Sequence, residues 1–243
     1  MKTFIITTAV LLGSVNAFAQ YTFASASTPR EFGYNLHDGN ARLVKKEKLS
    51  DAKSIGDVIP GYPVNWISSY VSVEISGITN GKMVKASSTN ANLSAEQKKL
   101  INEADLGTDL IADVKYSYVV PVCNTVEKNH MHTAITLIPE KEAEFSAGKD
   151  NLKKYLKENG INKISEMYFR QFKQVVVKFT VNEGGEIIDA KMSKTSGDAK
   201  TDKLILDTIN KMPHWKPAEN SKGLKVKQEF ELIINKGNMN DGC

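Results

Sequence analysis

The sequence predicts an α+β fold made of two domains, and three observations support this prediction. Apolar and polar residues alternate in several segments, as they do in strands with one buried face. Between these segments lie short stretches with apolar residues at helical spacing. The chain has 243 residues, 41% hydrophobic and 25% charged, which is enough to bury a core without metal or disulfide staples. We expect a mostly β first domain with one short helix, and a second domain of order β-β-α-β whose helix packs on a small antiparallel sheet.

Composition and charge exclude several classes of protein. With 16 Gly and 7 Pro the composition is ordinary for a globular chain, which excludes a wholly disordered, collagen-like or membrane-embedded protein. The formal net charge is +4, and the basic residues are lysines except for Arg30, Arg42 and Arg170. Because nucleic-acid grooves favour arginine for bidentate and stacking contacts, we expect no nucleic-acid partner.

Residues 1–19 have the pattern of a secretory signal peptide. Lys2 gives a basic start, Phe4 to Val15 is an apolar stretch, and Ala17-Phe18-Ala19 is a small-x-small cleavage site. We predict cleavage after Ala19. The alternative is a membrane anchor, but the apolar stretch is too short for a hydrocarbon core of about 30 Å. We therefore expect a periplasmic protein with no membrane span after cleavage, or alternatively an extracellular one.

The first half of the mature chain is predicted to be an arm and loop (20–65) followed by a β-rich domain (66–138). Asn80-Gly81 suits the positive φ angles of a tight hairpin turn. Ser94 and Gln97 have the spacing of a capping box at the start of a helix. The predicted elements are a strand at 71–75 and its return strand, a helix from Ser94 to Gly107, and strands at 112–122 and 131–138.

The second half begins with a connector at 139–149 and continues as a domain at 150–236 and a flexible tail at 237–243. Alternation is clearest from Val175 to Val181 and from Leu224 to Asn235, and Pro213 ends a helix that precedes the last strand. The predicted elements are helices at 151–159 and 199–212 and strands at 175–181, 187–194 and 224–235.

A group of short motifs in the second domain gives it a family resemblance. The motifs are Val175-Val-Val-Lys-Phe-Thr-Val181, Gly184-Gly185, Ser196-Gly197, Met212-Pro-His-Trp-Lys-Pro217 and the closing strand from Val226 to Ile234. Together they make residues 150–236 resemble the C-terminal domain of TonB-type energy transducers. The resemblance implies a sheet edge that binds an extended strand of an outer-membrane receptor, so a TonB-dependent receptor is a candidate partner.

The chain departs from a complete transducer. Its N-terminal apolar stretch is predicted to be removed, and its 7 Pro form no Pro-rich spacer. We therefore do not expect this chain alone to transduce energy. A fainter resemblance covers residues 66–138, where Val71-Ser-Val-Glu-Ile, Leu93-Ser-Ala-Glu-Gln, Gly107 and Asp113-Val-Lys are similar to the C-terminal domain of the periplasmic shaft protein of gliding-motility and type IX secretion machinery.

The residues favour binding over catalysis. No GxSxG, HExxH, P-loop or GxGxxG motif in the appropriate context is present, so we expect no enzyme and no cofactor. His130 and His132 are the candidate metal ligands, since residues two apart on a strand share a face. A third ligand would have to come from Glu127 or Asp113, and solvent-facing histidines without metal are the favoured interpretation. The alternative function is a periplasmic metal-binding or hydrolytic protein using His130 and His132.

The two cysteines are too few for a disulfide scaffold. An oxidising compartment permits a bond between Cys123 and Cys243, and the alternatives are a free thiol or a bond to a partner. A structural envelope component held by the Cys243 tail is a third interpretation of the protein.

The predicted function is protein binding by strand addition at the edge of the last strand, whose unpaired N–H and C=O groups would accept an extended segment. The edge could instead be covered by the protein's own arm (Gln20 to Asn40) or by a second copy in a homodimer. The residues predicted to bind the partner are Lys225, Val226, Lys227, Gln228, Glu229, Phe230, Glu231 and Leu232.

Overall fold

The computed structural model describes residues 30–237, and from residue 31 onward these form one compact unit. The predicted signal peptide, its cleavage site and Cys243 lie outside the described residues. The strands are β1 (Phe32–Asn35), β2 (Leu43–Lys45), β3 (Ser69–Thr79), β4 (Lys82–Ser88), β5 (Asp109–Val120), β6 (Thr125–Ile138), β7 (Glu144–Phe145), β8 (Gln174–Val181), β9 (Ile187–Lys194), β10 (Trp215–Lys216), β11 (Ala218–Glu219), β12 (Lys225–Val226) and β13 (Gln228–Lys236). The helices are α1 (Ile55–Val58), α2 (Ala95–Glu103), α3 (Lys149–Asn159), α4 (Glu166–Gln171) and α5 (Ala199–Asn210).

The first sheet has five strands in the order β2-β6-β5-β3-β4. All neighbours are antiparallel except β2, which runs parallel to β6. The predicted hairpin turn is confirmed, because Asn80 and Gly81 both have positive φ between β3 and β4. The capping box of α2 is also confirmed: Ser94 Oγ accepts from the backbone of Gln97, and Gln97 Oε1 accepts from the backbone of Ser94.

The second sheet has four strands in the order β1-β13-β8-β9, all antiparallel. Its core contains Phe179, Trp215 and Phe230, with ring centroids 5.4–5.7 Å apart. The helix α5 contributes Ile205 and Ile209 to the same core. The two sheets, antiparallel except for β2, and the helices on them confirm the predicted α+β class.

The edges of several elements differ from the prediction. The last strand does not run unbroken from Leu224, because β12 and β13 are separated at Lys227 and β12 pairs with β11 in a small ribbon. Leu224, where the predicted strand begins, is 60% exposed since it follows the turn that begins at Asn220. The connector at 139–149 contains β7, which pairs with β10. The domain boundaries given above stay a prediction.

The two sheets meet at Gly107. Its N–H donates to the carbonyl oxygen of Leu137, while the neighbouring Leu106 carbonyl accepts from the N–H of Glu229 in β13 at 2.9 Å. Gly107 has φ of 86°, and a Cβ built there would lie 1.8 Å from the carbonyl oxygen of Glu229. Only glycine fits this close approach of two backbones. In the described part of the chain, no helix is long and apolar enough to cross a membrane.

Candidate functional site: the edge of the last strand

The strand β13 lies in the interior of the second sheet. On one side it pairs with β8 over eight positions, from Gln228 opposite Val181 to Asn235 opposite Gln174. Its even-numbered side chains, such as Phe230, point into the core, as the alternation in the sequence predicts. Of the residues predicted to bind a partner, Gln228 to Leu232 therefore lie in this strand, but one of its edges is paired with β8.

The other edge of β13 is covered by the protein's own arm. β1 pairs antiparallel with it, from Phe32 opposite Lys236 to Asn35 opposite Ile233. Beyond β1, the carbonyl oxygen of Leu36 accepts from the N–H of Glu231 at 3.3 Å.

The Leu106 carbonyl, which accepts from the N–H of Glu229, completes this row of acceptors. The prediction that this edge of the last strand is open is therefore wrong. Of the predicted binding residues, Gln228 to Leu232 lie in β13 with this edge occupied. Lys225 and Val226 lie in β12, paired with β11, and Lys227 stands between the two strands. The alternative of a covering arm is the arrangement observed.

An aromatic side chain holds the arm in place. Phe32 is only 1% exposed and belongs to the core of the second sheet. Tyr34 packs against the same core, and its hydroxyl donates to the carbonyl oxygen of Lys149 at 3.0 Å. Burial of the phenol, with the nearby negative charge of Asp150 as the smaller cause, raises the pKa of Tyr34. Apolar burial thus supplies the affinity of β1 for its place.

A hydrogen-bonded group of three side chains fastens the segment after β1. His37 Nε2 lies 2.7 Å from Glu142 Oε2, and the amide of Gln228 donates to the same oxygen at 2.7 Å. The amide oxygen of Gln228 accepts from the backbone of Ala143 at 2.8 Å, so this fully buried side chain has both ends paired. The hydrogen bond with His37 is the main cause that lowers the pKa of Glu142.

Sequence reasoning missed His37 and Glu142. The only signal in the sequence is Gln228, a polar residue at an inward position of the last strand. A buried amide needs partners, so its presence indicates that other segments must reach this point of the core.

The outward face of β13 carries charged residues at half-buried positions. Lys178 Nζ lies 3.7 Å from Glu229 and 3.9 Å from Glu231. Burial raises the pKa of Glu229, and the positive charge of Lys178 opposes this shift only in part. This face is therefore a mixed-charge surface, but it flanks an edge that is already paired.

A cavity of about 590 Å³ lies beside the outer margin of β1. Its lining includes Tyr34, His37, Glu142 and Phe230. The cavity therefore reaches both the arm and the strand that the arm covers.

The histidine pair lies on the solvent face of the first sheet. His130 Nε2 and His132 Nδ1 both lie within hydrogen-bond distance of Asp113 Oδ1, at 3.0 and 2.7 Å. The side chains of the two histidines are 50% and 62% exposed, and Glu127 instead accepts from the hydroxyl of Tyr118.

The hydrogen bond from His132 is the main cause that lowers the pKa of Asp113. Within residues 30–237, no group of three His, Cys, Asp or Glu side chains is placed so that it could hold a metal ion. The structure therefore brings together three of the four candidate ligands without forming a metal centre in this part of the chain.

Cys123 lies exposed in the turn between β5 and β6, with its Sγ 2.9 Å from Thr125 Oγ1. Because Cys243 lies outside the described residues, the disulfide between them stays a prediction.

Residues 149–232 match the family model described as TonB C terminal. This match confirms the resemblance predicted from the motifs. Such domains are non-catalytic interaction modules of the bacterial envelope, so the family supports a protein partner there. Comparison with curated proteins and with solved structures found no match. The similarity of residues 66–138 to the periplasmic shaft protein stays a prediction.

Proposed function

We propose that this protein is an exported periplasmic binding module whose TonB-like sheet takes up an extended segment of an envelope or outer-membrane transport protein by strand addition. A TonB-dependent receptor is the candidate partner, and β1 occupies the binding edge until the partner strand replaces it. The observation that carries the proposal is the pairing of β1 with the outer edge of β13. This edge already pairs with a short antiparallel strand that buries an aromatic side chain, and an extended segment bound by strand addition would pair in the same way.

The exchange of strands is energetically reasonable. β1 pairs over only four positions, and its main apolar contribution is the burial of Phe32. Full burial of such a side chain contributes about 1.5–3 kcal/mol, so a partner that supplies its own aromatic residue and backbone pairing can compensate for the loss. The arm therefore protects a strand edge that would otherwise invite indiscriminate pairing, and it remains replaceable.

The outward residues of β13 would then select the partner. Glu229 and Glu231 flank Lys178, and the incoming strand would lie beside this alternating row. A segment with a basic residue opposite one of the glutamates and an aromatic residue at the place of Phe32 fits the edge best.

A disulfide that locks β1 onto β13 tests the proposal. Gly33 lies directly opposite Asn235, at a spacing suited to a disulfide between antiparallel strands. We would introduce Gly33→Cys and Asn235→Cys in a chain carrying Cys123→Ser and Cys243→Ser. Binding of synthetic peptides from the periplasmic segments of TonB-dependent receptors is then measured by titration calorimetry.

The oxidised variant is expected to lose peptide binding, and reduction of the same sample is expected to restore it. The reduced form is thus the matched control, since it differs only in the crosslink. Equal peptide binding before and after reduction would show that the peptide does not need the place of β1, and it would overturn the proposed replacement of β1 by a partner strand.

A further inference from the structure

A long strand margin is open in the first sheet. β6 has 14 residues, but its outer neighbour β2 pairs only with Thr136 to Ile138. Its inner neighbour β5 accounts for the other side along the whole strand. Among the described residues, the outer margin from Thr125 to Ala134 therefore has no strand partner.

The backbone of this margin offers hydrogen-bonding groups in a regular row. The N–H of Thr136 points outward to the carbonyl of Arg42, whereas the N–H of Leu137 points inward to the carbonyl of Thr108. Because direction alternates along a strand, the even-numbered residues from 126 to 134 also present their N–H groups outward. The N–H of His130 donates to the side-chain oxygen of its neighbour Asn129 at 2.7 Å, a local contact that an incoming strand can replace.

The solvent face beside this margin is basic. Lys128, His130 and His132 share it because they are two residues apart, and Lys115 lies opposite His130 on β5. The carboxylate of Asp113 on the same face already lies within hydrogen-bond distance of both histidines. In the part of the chain that the structure describes, Lys115 and Lys128 form no ion pair, so their charges are available to a ligand.

The opposite face of the same margin is an aromatic cavity. Its volume is about 580 Å³, and its lining includes Trp66, Tyr116, Tyr118 and Pro121 as well as Asn129 of β6. Trp66 is 72% exposed, which is unusual for so large an apolar side chain. Glu127, which lies opposite Tyr118 on this side, accepts from the hydroxyl of Tyr118 at 2.8 Å.

We infer that the outer margin of β6 binds an extended segment of another protein in which acidic residues alternate with apolar ones. The backbone of that segment pairs with the outward N–H groups, its acidic side chains meet Lys115 and Lys128, and its apolar side chains enter the aromatic cavity. This site goes beyond the proposed function, because it lies on a different sheet and does not involve β1.

Charge distinguishes this occupant from a second copy of the chain. In an antiparallel pair of two β6 strands, residues with outward N–H groups face one another. In the register centred on His130, Lys128 of one copy would then stand opposite His132 of the other. Such a pair brings no carboxylate to Lys128, so an acidic segment fits the margin better.

The experiment measures binding of short synthetic peptides in which Glu alternates with Val and Phe. The matched peptides contain Lys in place of Glu, or the same residues in non-alternating order. Emission of Trp66 reports occupancy of the cavity, and Trp66→Phe identifies its contribution to the signal. We expect binding of the alternating acidic peptide with a blue shift of Trp66, and weaker binding of both matched peptides by about tenfold or more.

Two variants at one position separate the backbone contribution from the charge. Lys128→Pro removes an outward N–H without breaking the ladder to β5, because proline is tolerated on an open margin. It is expected to weaken binding about tenfold beyond the loss seen in Lys128→Ala. Lys128→Glu keeps the N–H and is expected to shift the preference toward the lysine peptide, which keeps the test decisive if the proline variant fails to fold.

Several results would overturn the inference. These are equal binding of the acidic and lysine peptides, equal affinity of Lys128→Pro and Lys128→Ala, or a wild-type dimer that Lys128→Pro dissociates. Slow hydrogen exchange of the outward amides in the free monomer would also overturn it, since the chain would then cover its own margin. The disulfide between positions 33 and 235 is expected to leave this binding unchanged, so failure here is distinguishable from failure of the proposed function.

Discussion

The strands β13 and β6 have outer margins of opposite character. The last strand of the second sheet, β13, has both edges paired, one with β8 and the other with the arm strand β1. In the first sheet, β6 has an outer margin that no described strand covers between Thr125 and Ala134. The comparison shows that the edge of β13 implied by family resemblance is covered by the chain itself, while the open margin of β6 lies outside the matched residues.

The largest expected effect concerns the point where the two sheets touch. Gly107→Ala would place a Cβ 1.8 Å from the carbonyl oxygen of Glu229 at a φ of 86°. We expect a loss of about 4 kcal/mol in the free energy of unfolding, because both the strain and the clash must be relieved. Urea unfolding measures this loss.

Gly81→Ala is the matched control for that prediction. Gly81 has a φ of 72°, but nothing lies within 4 Å of an added Cβ. Its loss is expected to be about 1 kcal/mol. Equal losses of unfolding free energy in the two variants would mean that the contact between the sheets contributes little to stability.

The next effect separates the covered edge from the open one. Phe32→Ala removes the buried anchor of β1 and is expected to cost about 3 kcal/mol of arm docking. Hydrogen exchange of the Glu231 and Ile233 amides should become faster, and exchange along β6 should not change. Tyr34→Phe, which removes only the hydroxyl bonded to Lys149, is expected to cost about 1 kcal/mol. Faster exchange in both sheets would mean that the two margins are not independent.

A smaller effect is expected in the way the stability of the docked arm depends on pH. The pKa of Glu142 is lowered in the folded protein by its hydrogen bond with His37, so its contribution is present above the ordinary carboxyl pKa and is lost as the pH falls through the lowered value. Glu142→Gln should reduce stability by about 1 kcal/mol near neutral pH and make the variant less sensitive to acid. Thermal unfolding between neutral and acidic pH measures the difference.

The smallest effect has the opposite sign. Burial raises the pKa of Glu229, so the folded protein binds its proton more tightly than the unfolded chain and loses stability as the pH rises through the raised value. Glu229→Gln is expected to be slightly more stable than the wild type at neutral pH, and the advantage should disappear below the ordinary carboxyl pKa. Glu231→Gln serves as the control, and an equal gain there would show that burial of Glu229 is not the cause.

Much of the fold could be predicted from the sequence because its signals are local. The Asn80-Gly81 turn, the capping box at Ser94 and the alternation from Val175 to Val181 each specify a few consecutive residues. The pairing of β1 with β13 could not be predicted in this way. It joins residues about 200 positions apart through a strand of four residues, which is too short to show a period.

The candidate site could be predicted only in part for a related reason. Alternation tells which face of a strand is buried, but it carries no information about partners of the backbone groups in the plane of the sheet. The last strand was therefore identified correctly, whereas its covered edge was not. The shared face of His130 and His132 followed from their spacing, but their contacts with Asp113 depend on the register of β5 against β6.

Hydrogen exchange in the complex with a receptor peptide tests the central claim most directly, because it measures the amides of β1 and of β13 in the same sample. The peptide is one that the wild-type protein binds. With the peptide at saturation, the amides of Gly33 and Asn35 in the arm should exchange rapidly, while those of Ile233 and Asn235 in β13 stay slow under the new strand. Arm amides that remain slow in the saturated complex would contradict the account, since the peptide would then bind without replacing β1.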